Sequence, residues 1–239
     1  MIDVFINKLR VRDDVSDEEA DALRRAVART ERFDADRTLV RAGDELHESM
    51  LLLDGLICRF KDMRGGARQL LELNVAGDFL DLHAFLLKRL DHGVLTLAPS
   101  TVAYFPHDAL RRITEEMPHL TRLLWFQTVV DASIHREWVT TLGLRSAVGR
   151  LAQLFCEMFE RLRIVGLADE SGYPLPMTQA EIAELTGMTP VHANRTLKAL
   201  RDEGLVEMRR GRVELLDLPG LRRVAEFDPT YLSLTKRDR

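Results

Sequence analysis

The spacing of apolar residues changes along the chain, and each spacing predicts a different kind of element. Residues 16–30 carry apolar side chains at helical intervals behind Ser16 and Glu19, which is the pattern of a capped amphipathic helix. From Phe33 to about Pro106, short apolar runs alternate with glycine-containing turns. This alternation predicts the strands of a small antiparallel barrel or sandwich.

A leucine-rich segment interrupts the predicted strands at helical spacing. Its apolar side chains could line a ligand pocket or fill the interior of the barrel, and filling the interior is the favoured interpretation. They are Leu82, Phe85, Leu86, Leu87 and Leu90.

A long helix is predicted from Pro118 to about Thr141, because apolar residues recur there every three or four positions. About 24 residues make a helix ~36 Å long, which is more than one small domain needs. We therefore expect the helix to pair with a second copy of the chain, although a core helix within one chain gives a similar pattern. The predicted dimer seam consists of Leu123, Val130, Ile134 and Trp138. Gly143 is expected to end the helix, and Ser146 to cap the next one.

Residues 177–205 predict two short helices joined by a tight turn. Thr178 and Glu181 form a capping box at the first helix, and Gly187 permits the left-handed backbone of a turn. Thr189 is the expected cap of the second helix, with Pro190 at its first position. A predicted hairpin over residues 206–215 follows. Together these elements predict a winged helix-turn-helix, and a helical hairpin without a role in DNA binding is the alternative.

Charge and composition narrow the function further. The 239 residues have a net charge of −4, 46% hydrophobic and 30% charged residues, which is ordinary globular composition. The stretch 189–213 nevertheless holds six basic and three acidic residues, a local excess that suits DNA. No apolar run reaches the ~20 residues of a membrane span, and the amino terminus lacks a secretory pattern, so a cytoplasmic location is expected. The two cysteines, Cys58 and Cys156, cannot form a disulfide framework.

The exposed amino-terminal half of the second helix is expected to enter the major groove of double-stranded DNA. Arg195 is the predicted reader of guanine, Asn194 of adenine, and Val191 of a thymine methyl group. The other predicted DNA-binding residues lie near the two helix starts or on the hairpin. They are Thr178, Gln179, Thr189, Pro190, His192, Lys198, Arg209 and Arg210.

The segment GRLAQLF at Gly149–Phe155 and the segment TQAEIAELTGMTPVHANRTLKALRDEGLV from Thr178 resemble those of the Crp–Fnr family of bacterial transcription regulators. The resemblance covers nearly the whole chain. It implies an α+β fold with a cyclic-nucleotide-binding-like β-roll over 1–117, a dimerisation helix over 118–143 and a winged helix-turn-helix over 144–239. It also implies a homodimer on two inverted half-sites, with RNA polymerase as a partner. The base-reading arginine of the family falls on Arg195, whereas Val191 stands where many members carry glutamate.

The sensor region departs from the cyclic-nucleotide binders that it resembles. Their ribose-binding glutamate falls on Leu82, and their phosphate-binding arginine falls around Leu90-Asp91-His92. Cyclic AMP is therefore not the expected effector, and the effector stays unknown.

No cofactor or metal is predicted from the sequence. Cysteines are too few for an iron–sulfur cluster, and His83, His92 and His107 are interpreted as core or surface residues before haem ligands. Cys58 is either a redox thiol or inert packing. The sequence contains no nucleophile elbow and no phosphate-binding glycine loop, so an enzyme is not predicted. A ligand-sensing module that acts mainly through protein partners is the alternative function.

Overall fold

Two units, each with its own core, make up the chain. The computed structural model describes residues 2–237. One unit comprises Met1–Lys61, Leu73–Ala132 and Ser233–Arg239, and the other comprises Asp62–Glu72 and Ser133–Leu232. These units divide the chain differently from the predicted boundaries at residues 117 and 143, because the long central helix contributes residues to both.

The strands between residues 29 and 106 form two sheets, as the alternation of apolar runs and turns predicts. The pairs β1–β7, β3–β7, β2–β6 and β4–β6 are antiparallel. One sheet has the order β1-β7-β3, and the other has the order β2-β6-β4-β5. The strands are β1 (Arg29–Phe33), β2 (Thr38–Val40), β3 (Glu48–Asp54), β4 (Ile57–Asp62), β5 (Arg68–Asn74), β6 (Gly93–Thr96) and β7 (Ser100–Pro106).

Three helices pack against the β-roll. They are α1 (Asp3–Arg10), α2 (Asp17–Ala26) and α4 (His107–Glu116). The capping box predicted at Ser16 and Glu19 is confirmed at the start of α2. No helix is predicted from the sequence for α1, although its buried Phe5, Ile6 and Leu9 lie at helical spacing.

The leucine-rich segment forms only one short helix, α3 (Ala84–Leu87). Leu82 and Leu90 are buried, as expected for side chains that fill the interior. Leu86 and Leu87 are 78% and 65% exposed, so the interpretation of the whole segment as filling is wrong for these two. The helix is too short to turn all its apolar side chains inward.

Two long helices follow. The predicted long helix is confirmed as α5 (Pro118–Leu144), and it runs through Gly143 instead of ending there. Ser146 caps α6 (Ala147–Arg163) by accepting a hydrogen bond from the Gly149 N–H, as predicted. None of the helices within residues 2–237 combines the length and the apolar character that crossing a bilayer requires.

The second unit is built around α6, most of whose side chains are buried. Its remaining elements are β8 (Gly172–Pro174), α7 (Gln179–Thr186), α8 (Pro190–Asp202), β9 (Val206–Arg209), β10 (Arg212–Leu215), α9 (Leu218–Ala225) and a 3-10 turn at Pro229–Leu232. The segment after Pro219 has no assignment from the sequence. In the structure Asp217 caps α9, whose Leu221 is fully buried.

Candidate nucleic-acid interface

The first helix of the predicted helix-turn-helix, α7, forms as the sequence indicates. The Thr178 hydroxyl accepts from the Glu181 N–H, and the Glu181 carboxylate accepts from the Thr178 N–H. Gly187 ends the helix with φ +65°, a left-handed conformation that side chains disfavour. The buried Ala183 leaves room for the crossing of the two helices.

The second helix, α8, begins at Thr189, whose hydroxyl accepts from the His192 N–H, and Pro190 occupies its first turn. Its inner face buries Ala193, Thr196 and Leu200. The chain folds back after the helix, where the Leu205 N–H donates to the Leu200 carbonyl at 3.0 Å. Caps and core contacts thereby fix which face of α8 points outward.

The predicted base-reading residues lie on this outward face. Val191 is 82% exposed, and Asn194 and Arg195 are exposed beside it. Arg195 and Lys198 form no hydrogen bond or ion pair with any residue in the described part of the chain, so both cations are available to a ligand. Asn194 differs, since its Nδ2 donates to Oε1 of Gln179 at 2.7 Å. This bond holds the Asn194 amide in one orientation before any base arrives.

Most other predicted DNA-binding residues border the same surface. A cleft of about 400 Å³ is lined by Thr178, Gln179, Asn194, Lys198, Arg209 and Arg210. Thr189 and Pro190 are exposed at the start of α8, and His192 is half-buried there. The start of α8 adds the positive end of a helix dipole, which favours a phosphate. The structure therefore brings six predicted residues from both helices and the hairpin to one cleft, whereas Arg195 and the residues at the start of α8 do not line it.

The hairpin is a tight two-residue turn between β9 and β10. Arg210 and Gly211 both have positive φ, 49° and 73°, which is the type I′ geometry that matches the twist of paired strands. This turn leaves Arg210 exposed at the tip. The Arg209 guanidinium is exposed as well, and it contacts the Glu207 carboxylate at 2.6 Å.

A third strand, β8, completes the wing, and the sequence pattern does not reveal it. It pairs with β10, where a Cβ on Gly172 would lie 1.9 Å from the Val213 carbonyl oxygen. Tyr173 anchors the strand, because its hydroxyl donates to the Phe155 carbonyl at 2.7 Å inside the unit. The only signal in the sequence is this glycine next to an aromatic residue.

The predicted dimer seam lies on a face of α5 that is buried within the single chain. Leu123, Val130, Ile134 and Trp138 are only 0–6% exposed. Leu123 belongs to the apolar core of the first unit, and the Trp138 indole N–H donates to Glu157 at 3.3 Å. This burial does not favour these four side chains as the contact with a second copy.

The interior of the β-roll holds an ion pair that the sequence does not predict. Arg59 Nη1 lies 3.0 and 2.9 Å from the two carboxylate oxygens of Asp131, and Arg59 Nε donates to the Leu80 carbonyl at 2.8 Å. The Arg59 side chain is almost fully buried. The pair joins residues 72 positions apart, so no local pattern could indicate it.

The positions onto which the resemblance places the nucleotide contacts carry other interactions here. Leu82 is buried and apolar. Within the stretch Leu90-Asp91-His92, Asp91 forms an ion pair with Lys61 at 2.7 Å and a hydrogen bond with His92 at 3.0 Å. An anionic carboxylate in this stretch would repel a cyclic phosphate.

Both cysteines, Cys58 and Cys156, are buried. Burial raises the pKa of the Cys156 thiol to about 12, so its thiolate is not populated near neutral pH. Packing accounts for the Cys156 side chain.

These features define a winged helix-turn-helix DNA-binding protein with an N-terminal β-roll. Comparison with protein families supports both the β-roll and the helix-turn-helix. A cyclic nucleotide-binding domain matches residues 30–117, and a Crp-like helix-turn-helix domain matches residues 149–224. The chain thus combines a cyclic nucleotide-binding domain with a Crp-like helix-turn-helix domain, as the Crp/Fnr transcription regulators do.

Individual relatives show the same architecture. The nitrogen fixation regulation protein FixK of Bradyrhizobium diazoefficiens is 28% identical over 191 residues, covering 80% of this chain and 79% of that protein. The transcriptional activator protein FnrL of Cereibacter sphaeroides is 22% identical over 179 residues, covering 74% and 71%. The solved structure of FixK2 from Bradyrhizobium japonicum has a TM-score of 0.76 at 20% identity, covering 83% of this chain and 97% of that one.

Proposed function

We propose that this DNA-binding transcription regulator acts as a homodimer on an inverted-repeat operator, with one α8 in the major groove of each half-site. The observation that carries the proposal is the exposed Arg195, which has no partner among the described residues and projects from a capped helix on a basic surface. A free guanidinium in this position can donate two hydrogen bonds to guanine O6 and N7.

A second stripe of α5 supports pairing with another copy. Its exposed residues recur at intervals of four and three, which is the seam spacing of a coiled coil. Trp125, Val129 and Val139 are 69%, 47% and 74% exposed, although large apolar side chains are usually covered. The stripe consists of Trp125, Val129, Ala132, Arg136 and Val139. We propose this stripe, in place of the buried face, as the dimer seam.

The proposal extends to control of transcription. FixK is named a regulation protein and FnrL a transcriptional activator, which supports RNA polymerase as a partner of the bound dimer. We further propose that any effector enters the β-roll and is not cyclic AMP, because Leu82 is expected at the place of the ribose-binding glutamate and the stretch Leu90-Asp91-His92 supplies no arginine for the phosphate.

Selection of bound DNA from a random duplex pool tests the DNA proposal. The purified protein is expected to enrich an inverted repeat whose half-sites lie about ten base pairs apart. Arg195→Ala should weaken binding to the selected site by about 1–3 kcal/mol and relax the sequence preference at one base pair. Binding to random DNA should change little. Lys198→Ala is the matched control, since losing a phosphate contact should weaken all sequences alike and reduce the salt dependence. Equal effects of both variants on all sequences would refute base reading by Arg195.

Sedimentation of variants tests the seam. Val129→Asp places a charge in the proposed stripe and should yield monomers with reduced operator affinity and an unchanged circular dichroism spectrum. Leu86→Asp adds a charge to an apolar side chain of α3 that is 78% exposed, against 47% for Val129, and should leave the dimer intact. A dimeric Val129→Asp variant would contradict the assignment of the stripe.

A further inference from the structure

Two histidines of the first unit bring their imidazole rings together next to the Arg59–Asp131 pair. His83 immediately precedes α3, and His92 immediately precedes β6. Their ring centroids lie 5.5 Å apart with 41° between the ring planes. His92 is only 7% exposed, and His83 is half-buried. Neither side chain takes part in the DNA-binding surface.

Hydrogen bonding leaves the His92 ring with one free nitrogen in the interior. The Asp91 carboxylate lies 3.0 Å from His92 Nδ1 and forms an ion pair with Lys61 at 2.7 Å. An ionised carboxylate can only accept, so His92 Nδ1 carries the proton and Nε2 keeps its lone pair. Nε2 is buried and has no hydrogen-bond partner within residues 2–237. A buried acceptor without a partner is destabilising, and a bound metal ion would satisfy the lone pair of Nε2.

The second ring is also open to a metal ion. The His83 side chain makes no hydrogen bond with any other residue that the structure describes. An imidazole nitrogen that carries no proton is a common ligand of zinc and similar ions.

The surrounding charges are compatible with a cation. The charges of Arg59 and Asp131 near the two rings are opposite, and they offset each other because the two side chains form an ion pair. Asp91 adds a further negative charge on the His92 side. Its bond to His92 Nδ1 is the carboxylate–histidine arrangement that orients ligating rings around zinc.

We propose that His83 and His92 are the protein ligands of a divalent transition-metal ion of the Zn²⁺ type, with Asp91 as a positioning residue and water or a small anion completing the coordination. With Zn–N bonds of about 2.0–2.1 Å, two imidazoles on one tetrahedral ion have ring centroids roughly 5 Å apart. The observed centroid distance is 5.5 Å, so small side-chain adjustments suffice. Imidazole ligands select zinc, nickel, cobalt or copper over magnesium and calcium.

Titration of the chelator-treated full-length protein with Co²⁺ and Zn²⁺ tests this site. Co²⁺ is expected to give a saturable visible absorption band with one ion per chain, and Zn²⁺ to displace it and raise the melting temperature. His83→Gln should reduce the affinity at least tenfold, and because His83 is half-buried this variant should keep the wild-type circular dichroism spectrum. Asp91→Asn retains both imidazoles and should weaken binding by about 10–100-fold.

Two further histidine variants serve as controls. His47→Gln removes an exposed imidazole, and His135→Gln removes one that lies 3.5 Å from Glu72. Both should bind the metal as the wild type does. Absence of saturable binding in the wild type would overturn the proposal. The proposal would also be overturned if His83→Gln bound the metal as tightly as the wild type does. A loss of metal affinity in His135→Gln but not in His83→Gln would overturn it as well.

Discussion

His107 provides a direct test of how burial controls charge in the β-roll. It is the first residue of α4, is only 5% exposed and packs edge-on against Phe85 with ring centroids 5.6 Å apart. Its Nε2 lies 3.3 Å from the Ser49 hydroxyl, and within residues 2–237 the ring forms no ion pair with a carboxylate. Burial, and then the positive charges of Lys88 and His47, lower the pKa of His107 from 6.5 to about 4.

The sign and size of the effect follow from linkage. Between pH 6.5 and 4 the unfolded chain binds a proton at His107 that the folded chain does not, so the free energy of unfolding falls as the pH is lowered. One pKa unit corresponds to about 1.4 kcal/mol. Acidification from pH 7 to pH 5 should therefore remove at most about 2 kcal/mol through this residue. The stabilising contribution is complete above pH 6.5 and is lost as the pH approaches 4.

Comparison with His107→Gln isolates this contribution from the other titrating groups. Urea unfolding of both proteins at pH 7, 6 and 5 should show the wild type losing stability relative to the variant by about 2 kcal/mol. The imidazole resonances of His107 should shift only below pH 5 in an NMR titration. A difference between the two proteins that stays constant from pH 7 to pH 5 would refute the assignment of a neutral, buried His107.

Three other substitutions follow from individual contacts. Asp131→Ala leaves the buried Arg59 guanidinium without its carboxylate and should destabilise the protein by about 3–5 kcal/mol in urea unfolding, and an unchanged midpoint would contradict this. Thr189→Ala removes a helix cap and should lower stability by about 1 kcal/mol in thermal unfolding with operator affinity reduced in parallel. Gly172→Ala forces a Cβ onto the neighbouring strand and should cost about 2–4 kcal/mol, whereas Gly65→Ala, with nothing within 4 Å, should melt like the wild type.

Local interactions explain why the DNA-binding half could be predicted. The capping box at Thr178, the turn at Gly187 and the cap at Thr189 all act within a few residues. Each depends only on residue type and spacing, so the pattern and the structure agree. The exposure of Arg195 follows in turn, because the caps and the apolar face of α8 fix the helix rotation.

The sequence pattern does not predict the short elements β8 and α9, because contacts between distant residues stabilise them. The strand β8 has three residues and forms only because β10 lies beside it. The helix α9 has eight residues and is held by burial of Leu221. Neither has enough residues to show a period of its own, so tertiary contacts decide both.

The sequence by itself determined the order of the elements, the capped helix-turn-helix and the side chains that α8 leaves exposed. The tertiary structure decided which of the two apolar faces of α5 is buried, since periodicity reveals a face but not what covers it. In the folded chain Ile134 is buried, whereas Val129 is exposed. The tertiary structure also joined Arg59 to Asp131 and brought His83 against His92, because contacts between distant positions depend on how strands and helices pack.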